Sequence, residues 1–121
     1  MRYMMLIYSK EIEGEMPAED ADRIRAAHGT AIEDASRRGI LVSAEPLSPT
    51  TTATTVRMQD GKALITDGPF AETKEQLAGF YILDCENLDE AIEWASRIPT
   101  GCKGGEGCIE IRPMPGRRGN G

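Results

Sequence analysis

Two short stretches, residues 3–8 and 78–85, restrict the fold more than anything else in the chain. Both are apolar on both parities: Tyr3, Met5 and Ile7 alternate with Met4, Leu6 and Tyr8, and Phe80 and Ile82 alternate with Tyr81 and Leu83. Successive side chains of a strand point to opposite faces, so each stretch needs cover above and below and belongs in the middle of a sheet. Neither approaches the ~18 consecutive apolar residues of a membrane span. The first is also too short for the apolar region of a signal peptide plus a cleavage site. A cytoplasmic protein with no membrane partner is the expectation.

Helical spacing fills the intervals. Pro17 is suited to a first helical position, and Glu19, Asp20 and Asp22 follow where carboxylates favour the helix dipole. The helix should run to about Arg38, with Gly39 as its stop. Its expected stripe is Ile24, Ala27, Ala31, Ile32 and Ala35, with His28 on the edge. A second strand is expected at 40–44, closed by Glu45, Pro46 and the Ser/Thr/Pro-rich run 48–52. Asp60-Gly61 then separates two strand-like runs, 54–59 and 62–66. A two-residue turn of this kind needs positive φ at both positions and sets the register: Gln59 opposite Lys62, Met58 opposite Ala63, Val56 opposite Ile65, Thr54 opposite Asp67. Val56, Met58, Ala63 and Ile65 then share one face, and Asp67 points to the same side.

Asn87 with Glu90 three residues on reads as the start of a second helix. Leu88, Ala91, Ile92, Ala95 and Ile98 form its expected stripe, Trp94 falls at the edge, and the helix must end before Pro99. A Gly-rich loop over 100–107 leads to a last strand at 108–112, with Ile109 and Ile111 turned inward. The order of elements is that of an α+β, ferredoxin-like split βαβ sheet with an inserted β-hairpin. One domain over residues 1–113 is expected, followed by a Pro/Gly/Arg-rich, flexible tail over 114–121. Two helices cover one sheet face only, and the apolar residues of the other call for a partner, most simply a homodimer with its sheets face to face.

Charge narrows the partners. With 14 Lys and Arg against 20 Asp and Glu, the chain carries a formal charge of -6 and lacks the clustered cations of a nucleic-acid surface. Three cysteines, Cys85, Cys102 and Cys108, and a single histidine do not suit a His- or Cys-built zinc site, and no metal or other cofactor is expected. Cys102 and Cys108 flank the Gly-rich loop within conceivable disulfide reach, although a reducing cytosol favours free thiols.

The run Asp67-Gly68-Pro69-Phe70-Ala71-Glu72-Thr73-Lys74-Glu75, leading into Gly79-Phe80-Tyr81, resembles the signature of the DGPF branch of the YCII-related proteins. The resemblance extends from the first strand to Ile109-Glu110-Ile111-Arg112-Pro113. It departs at Ala78, where the family usually has a second Gly. It implies a bacterial dimeric α+β barrel and a regulatory setting beside extracytoplasmic-function sigma factors. In the wider group a His on the first helix has been paired with an Asp in a dyad. His28 matches the helix position, and Asp67 as its partner is inferred from the hairpin register.

A carboxylate holding one ring nitrogen would leave the other as acid or base near neutral pH. In the plainer alternative His28 fills the stripe edge and Asp67 caps the turn. The Gly68-Pro69 constraint is expected to aim Phe70 into the core or toward a partner. Glu72, Lys74 and Glu75 are candidate ligand contacts, or else a solvated charged connector. Glu45, Tyr8 and Arg112, near strand ends, are further candidates for a cleft. Two functions follow: a small-ligand-binding or accessory regulatory dimer, or a cofactor-free enzyme acting on a small organic substrate with His28 and Asp67 as its acid/base pair.

Overall fold

A computed structural model describes residues 1–11, 16–100 and 107–116. Its elements are β1 (Arg2–Ser9), α1 (Ala18–Arg37), β2 (Leu41–Pro46), β3 (Thr54–Gln59), β4 (Lys62–Asp67), β5 (Gln76–Asp84), α2 (Leu88–Ala95) and β6 (Gly107–Pro113). Four strands make an antiparallel sheet in the order β2-β5-β1-β6, and β3 and β4 form a separate two-stranded ribbon. The two strands apolar on both parities are therefore the central pair. This is the mixed α+β arrangement expected of a ferredoxin-like domain carrying an inserted hairpin. Among the described residues, no helix is long and apolar enough to cross a membrane.

The core lies between one sheet face and the helices. Tyr3, Met5 and Ile7 of β1, Tyr81 and Leu83 of β5, and Cys85 are buried there with Ala31 and Ala35 of α1 and Ala91, Trp94 and Ile98 of the α2 region. Ile109 and Ile111 pack against this cluster from β6. On the opposite sheet face, Met4 pairs with Ile82 and Leu6 with Phe80. Cross-strand partners share a face, so these four form an apolar centre. Glu45 opposite Phe80 stands on one side of it, and Glu110 opposite Leu6 and Arg112 opposite Met4 stand on the other.

Both helices differ from the expected stripes. The line turned inward on α1 is Asp20, Ile24, His28, Ala31 and Ala35, while Ala27 is exposed. His28 thus sits within the line rather than on its edge. A spacing of four, four, three and four residues follows one helical face more closely than the set containing Ala27. Pro17 is the residue before the first turn, not the first helical residue. On α2, Leu88 and Ile92 are 51% and 48% exposed, whereas Trp94 is 5% exposed. The large indole takes the inward position and rotates the short helix about its axis. Asn87 accepts the backbone N–H of Glu90 at 3.0 Å, the cap expected there.

The hairpin follows its turn. Asp60 has φ 51° and Gly61 φ 77°, and the pairs Gln59–Lys62, Met58–Ala63, Val56–Ile65 and Thr54–Asp67 all form. The Cys102–Cys108 question, and the tail beyond residue 116, lie outside the described residues.

Candidate functional site

The DGPF turn is a rigid corner. At Gly68 φ is 101°, a conformation that a residue with a Cβ avoids. The Gly68 N–H donates to the Ala53 carbonyl at 2.7 Å, and Thr55 Oγ1 donates to the Gly68 carbonyl at 2.7 Å, so the turn is pinned to the start of β3. Pro69 then directs the chain away, and Phe70 is 77% exposed rather than part of the core. Beyond it the connector bonds to itself: Thr73 Oγ1 donates to the Glu75 carbonyl at 2.5 Å, and Gln76 Nε2 to the Thr73 carbonyl at 3.1 Å.

This corner forms one wall of an open hollow of about 1140 Å³. Asp67, Gly68, Pro69, Glu72 and Lys74 line it on one side, and Ser9, Lys10, Glu11 and the turn at Thr50–Thr52 on another. The second wall is held by Glu11, whose two carboxylate oxygens accept the Thr50 N–H at 2.8 Å and the Thr50 hydroxyl at 2.6 Å. The apolar part of the lining is Met16, Leu47, Pro49, Leu77 and Ala78.

A bulge shapes the mouth of β5. Ile7 pairs with Gly79 but Tyr8 pairs with Leu77, leaving Ala78 as the extra residue. Such an insertion bends its strand and re-aims the adjoining side chains. Here Gln76, Leu77 and Ala78 all come to line the hollow. The Ala78 carbonyl accepts the Leu47 N–H at 2.8 Å, which ties down the opposite lip.

Asp67, Glu72 and Lys74 share this hollow. Among the described residues, no hydrogen bond or ion pair engages the side chain of any of the three, so the plain expectation that Asp67 caps its turn with its carboxylate is not met. With Lys10 and Glu11 on one wall and Asp67, Glu72 and Lys74 on the other, the lining carries both signs of charge and suits a polar ligand. Glu75 is outside the lining and stands beside the Cys108 thiol, whose pKa is raised by desolvation and by Glu75. Glu45, Tyr8 and Arg112 are not part of the lining either; they pair with Phe80, Cys108 and Met4 in the sheet.

His28 lies elsewhere. Its Nδ1 is 2.7 Å from the hydroxyl of Tyr81, with the ring centroids 5.9 Å apart, and no hydrogen bond or ion pair joins it to Asp67. Burial lowers the imidazole's pKa from 6.5 and pushes the Tyr81 phenol up to about 12, so both rings are held neutral at pH 7. The partner missed from sequence was Tyr81. Its parity with Leu83 on the helix-covered face, opposite a helix with one polar ring in its inward line, was the available signal. Among the described residues, no three His, Cys, Asp or Glu side chains converge as metal ligands would.

Sheet, helices and corner together define an antiparallel α+β domain with a polar hollow at the hairpin junction. The YCII-related domain family matches residues 1–115, and the chain belongs to that family. An uncharacterised protein of Rhizobium meliloti (strain 1021) is similar to it, at 36% identity over 115 residues, covering 94% of this chain and 92% of the relative.

Proposed function

We propose that this protein is a small-ligand-binding, accessory regulatory homodimer of the DGPF branch, taking its ligand in the hollow beside the Asp67-Gly68-Pro69-Phe70 turn. The carrying observation is the set of charged groups at that corner. Asp67, Glu72 and Lys74 are held on one pinned wall of a hollow of about 1140 Å³, their side chains without hydrogen-bond or ion-pair partners among the described residues. A mixed-charge rim over an apolar floor favours a small polar organic molecule over nucleic acid or lipid. Glu75 belongs to the same connector but not to the contact set.

The dimer follows from the sheet face built of Met4, Leu6, Phe80 and Ile82, which the helices of its own chain leave uncovered. Two copies related by a two-fold axis would close it face to face as an α+β barrel. A cytoplasmic regulatory role beside extracytoplasmic-function sigma factors is the setting that the family resemblance implies. The enzymatic alternative, a cofactor-free reaction using His28 and Asp67 as an acid/base pair, lacks a contact between those two groups, since His28 is engaged by Tyr81.

The test is a panel of small amines, carboxylic acids and amino acids screened by amide chemical shifts. Binding should move resonances of residues 67–78 and 9–11 together, and Lys74→Ala should weaken it. A panel that leaves that region unmoved would count against the ligand site. Perturbation centred on His28 and Tyr81 would instead revive acid/base chemistry.

A further inference from the structure

Trp94, the single tryptophan of the chain, is 5% exposed and carries two guanidinium groups on its ring. Arg97 Cζ is 4.6 Å from the ring centroid and Arg38 Cζ is 5.8 Å from it. The two arrive from different elements: Arg38 is the residue that ends α1, and Arg97 follows Ser96 at the end of α2. With Arg37 and Asp34 they line one hollow of about 290 Å³, remote in sequence from the DGPF turn and sharing no residue with its hollow.

Arg37 is paired with Asp34. Among the described residues, no hydrogen bond or ion pair engages the guanidinium of Arg38 or Arg97, although the chain has 20 carboxylates to 14 cations. The helix dipole accounts for Arg37 and Arg38 at the end of α1. Arg97 stands likewise just past the end of α2, so the dipoles favour a cation at each helix end; they do not dictate that Arg38 and Arg97 converge on one ring. A guanidinium stacked on an indole uses its face, and its in-plane N–H donors stay available as a fork for an oxyanion. Three Arg and one Asp give the lining a charge of +2 within a molecule of -6. The carbonyl ends of α1 and α2 oppose an anion with about half a charge each, less in sum than the excess in the lining.

We propose that the hollow lined by Arg38 and Arg97, the two guanidinium groups that meet the Trp94 ring, is an anion site for a phosphate group, either inorganic phosphate or the head of a small phosphate monoester. A phosphate near neutral pH carries a charge of about -1.5 to -2, matching the excess in the lining. It also offers several acceptor oxygens to two separate donor forks. The volume lies just under the ~300–1,000 Å³ of pockets that enclose drug-sized ligands, so it accommodates a compact head group.

Trp94 makes the site directly readable. Inorganic phosphate, and in a second arm glycerol phosphate, should be titrated into the full chain at constant ionic strength while tryptophan emission is followed. Phosphorus NMR line widths give a readout independent of the indole. Saturable binding is expected, and Arg97→Gln should weaken it by about tenfold or more, the loss of one charge-assisted donor set. Arg97→Lys should fall between, and Asp34→Asn should tighten binding by removing the competing carboxylate. Tighter binding of the monoester would identify a small-molecule head group, and equal binding would identify phosphate itself. Absence of saturation by both readouts in the wild-type chain, or equal affinity in a folded Arg97→Gln variant, would overturn the site.

Discussion

His28 shows how one inward helical position can be polar without being exposed. Its ring is desolvated, and Tyr81 satisfies Nδ1 at 2.7 Å. The pH dependence follows from the lowered pKa. Below pH 6.5 the unfolded chain takes up a proton that the folded imidazole resists, so this contribution is complete above 6.5 and is lost as pH falls toward the folded pKa. In urea titrations, the stability gap between wild type and His28→Gln should narrow as pH falls below that value; a constant gap would contradict the buried neutral pair. Tyr81 acts at the other end, its contribution being full below pH 10 and lost as pH rises toward about 12. Cys85 is a third titrating group shifted by burial, 2% exposed, its thiol pushed up to about 11 by burial, then by Glu90 and Asp84. Thiolate is the reactive form, so a maleimide pulse at pH 7.5 followed by peptide mass analysis should mark exposed Cys108 and spare Cys85 until denaturant is added.

At the scale of elements, the join between β2 and β5 is the least forgiving. Gly79 pairs with Pro46, and a Cβ there would sit 2.8 Å from the Glu45 carbonyl oxygen and 3.2 Å from the Pro46 Cα. Both are backbone atoms and cannot swing aside as a side chain would. Gly79→Ala should cost about 1–3 kcal/mol in chemical denaturation, as overpacking does. It should also disturb Leu47 and Ala78 at the lip of the hollow. An Ala variant as stable as wild type would show that β2 shifts freely. The hairpin makes the opposite point. Its register is complete, yet Val56, Met58 and Ile65 are 57%, 69% and 70% exposed, so turn chemistry holds the ribbon without a core beneath its apolar face.

For the whole molecule, the decisive surface is the uncovered sheet face. Its four central side chains are apolar and the charges Glu45, Glu110 and Arg112 flank them, the distribution of an interface centre with a polar rim. Sedimentation of the wild-type chain should give the mass of a dimer, and Leu6→Arg should give a folded monomer, since a guanidinium at that centre would be buried without a partner. A wild-type chain that sediments as a monomer would remove the dimer from the proposed function. If ligand binding at Asp67 and Lys74 survives in the Leu6→Arg monomer, each hollow is complete within one chain.

The central strands, the sheet order and the hairpin register were all legible in the residues, because strand parity and a two-residue turn with positive φ leave few alternatives. Helix limits were nearly so, Gly39 ending α1 with φ 72°. Which side of each helix turns inward was not. Trp94 in place of Ile92, and His28 in place of Ala27, depend on the volume and hydrogen-bonding groups that the sheet offers, and no helical period contains those. The hollow was equally hidden: Asp67 meets Glu11 and Thr50 across a gap made by a bulge at Ala78 and a pinned turn at Gly68. Local stereochemistry determined the strands and their pairing. Packing between elements distant in the chain decided that His28 would answer to Tyr81 and that Asp67 would line an open hollow.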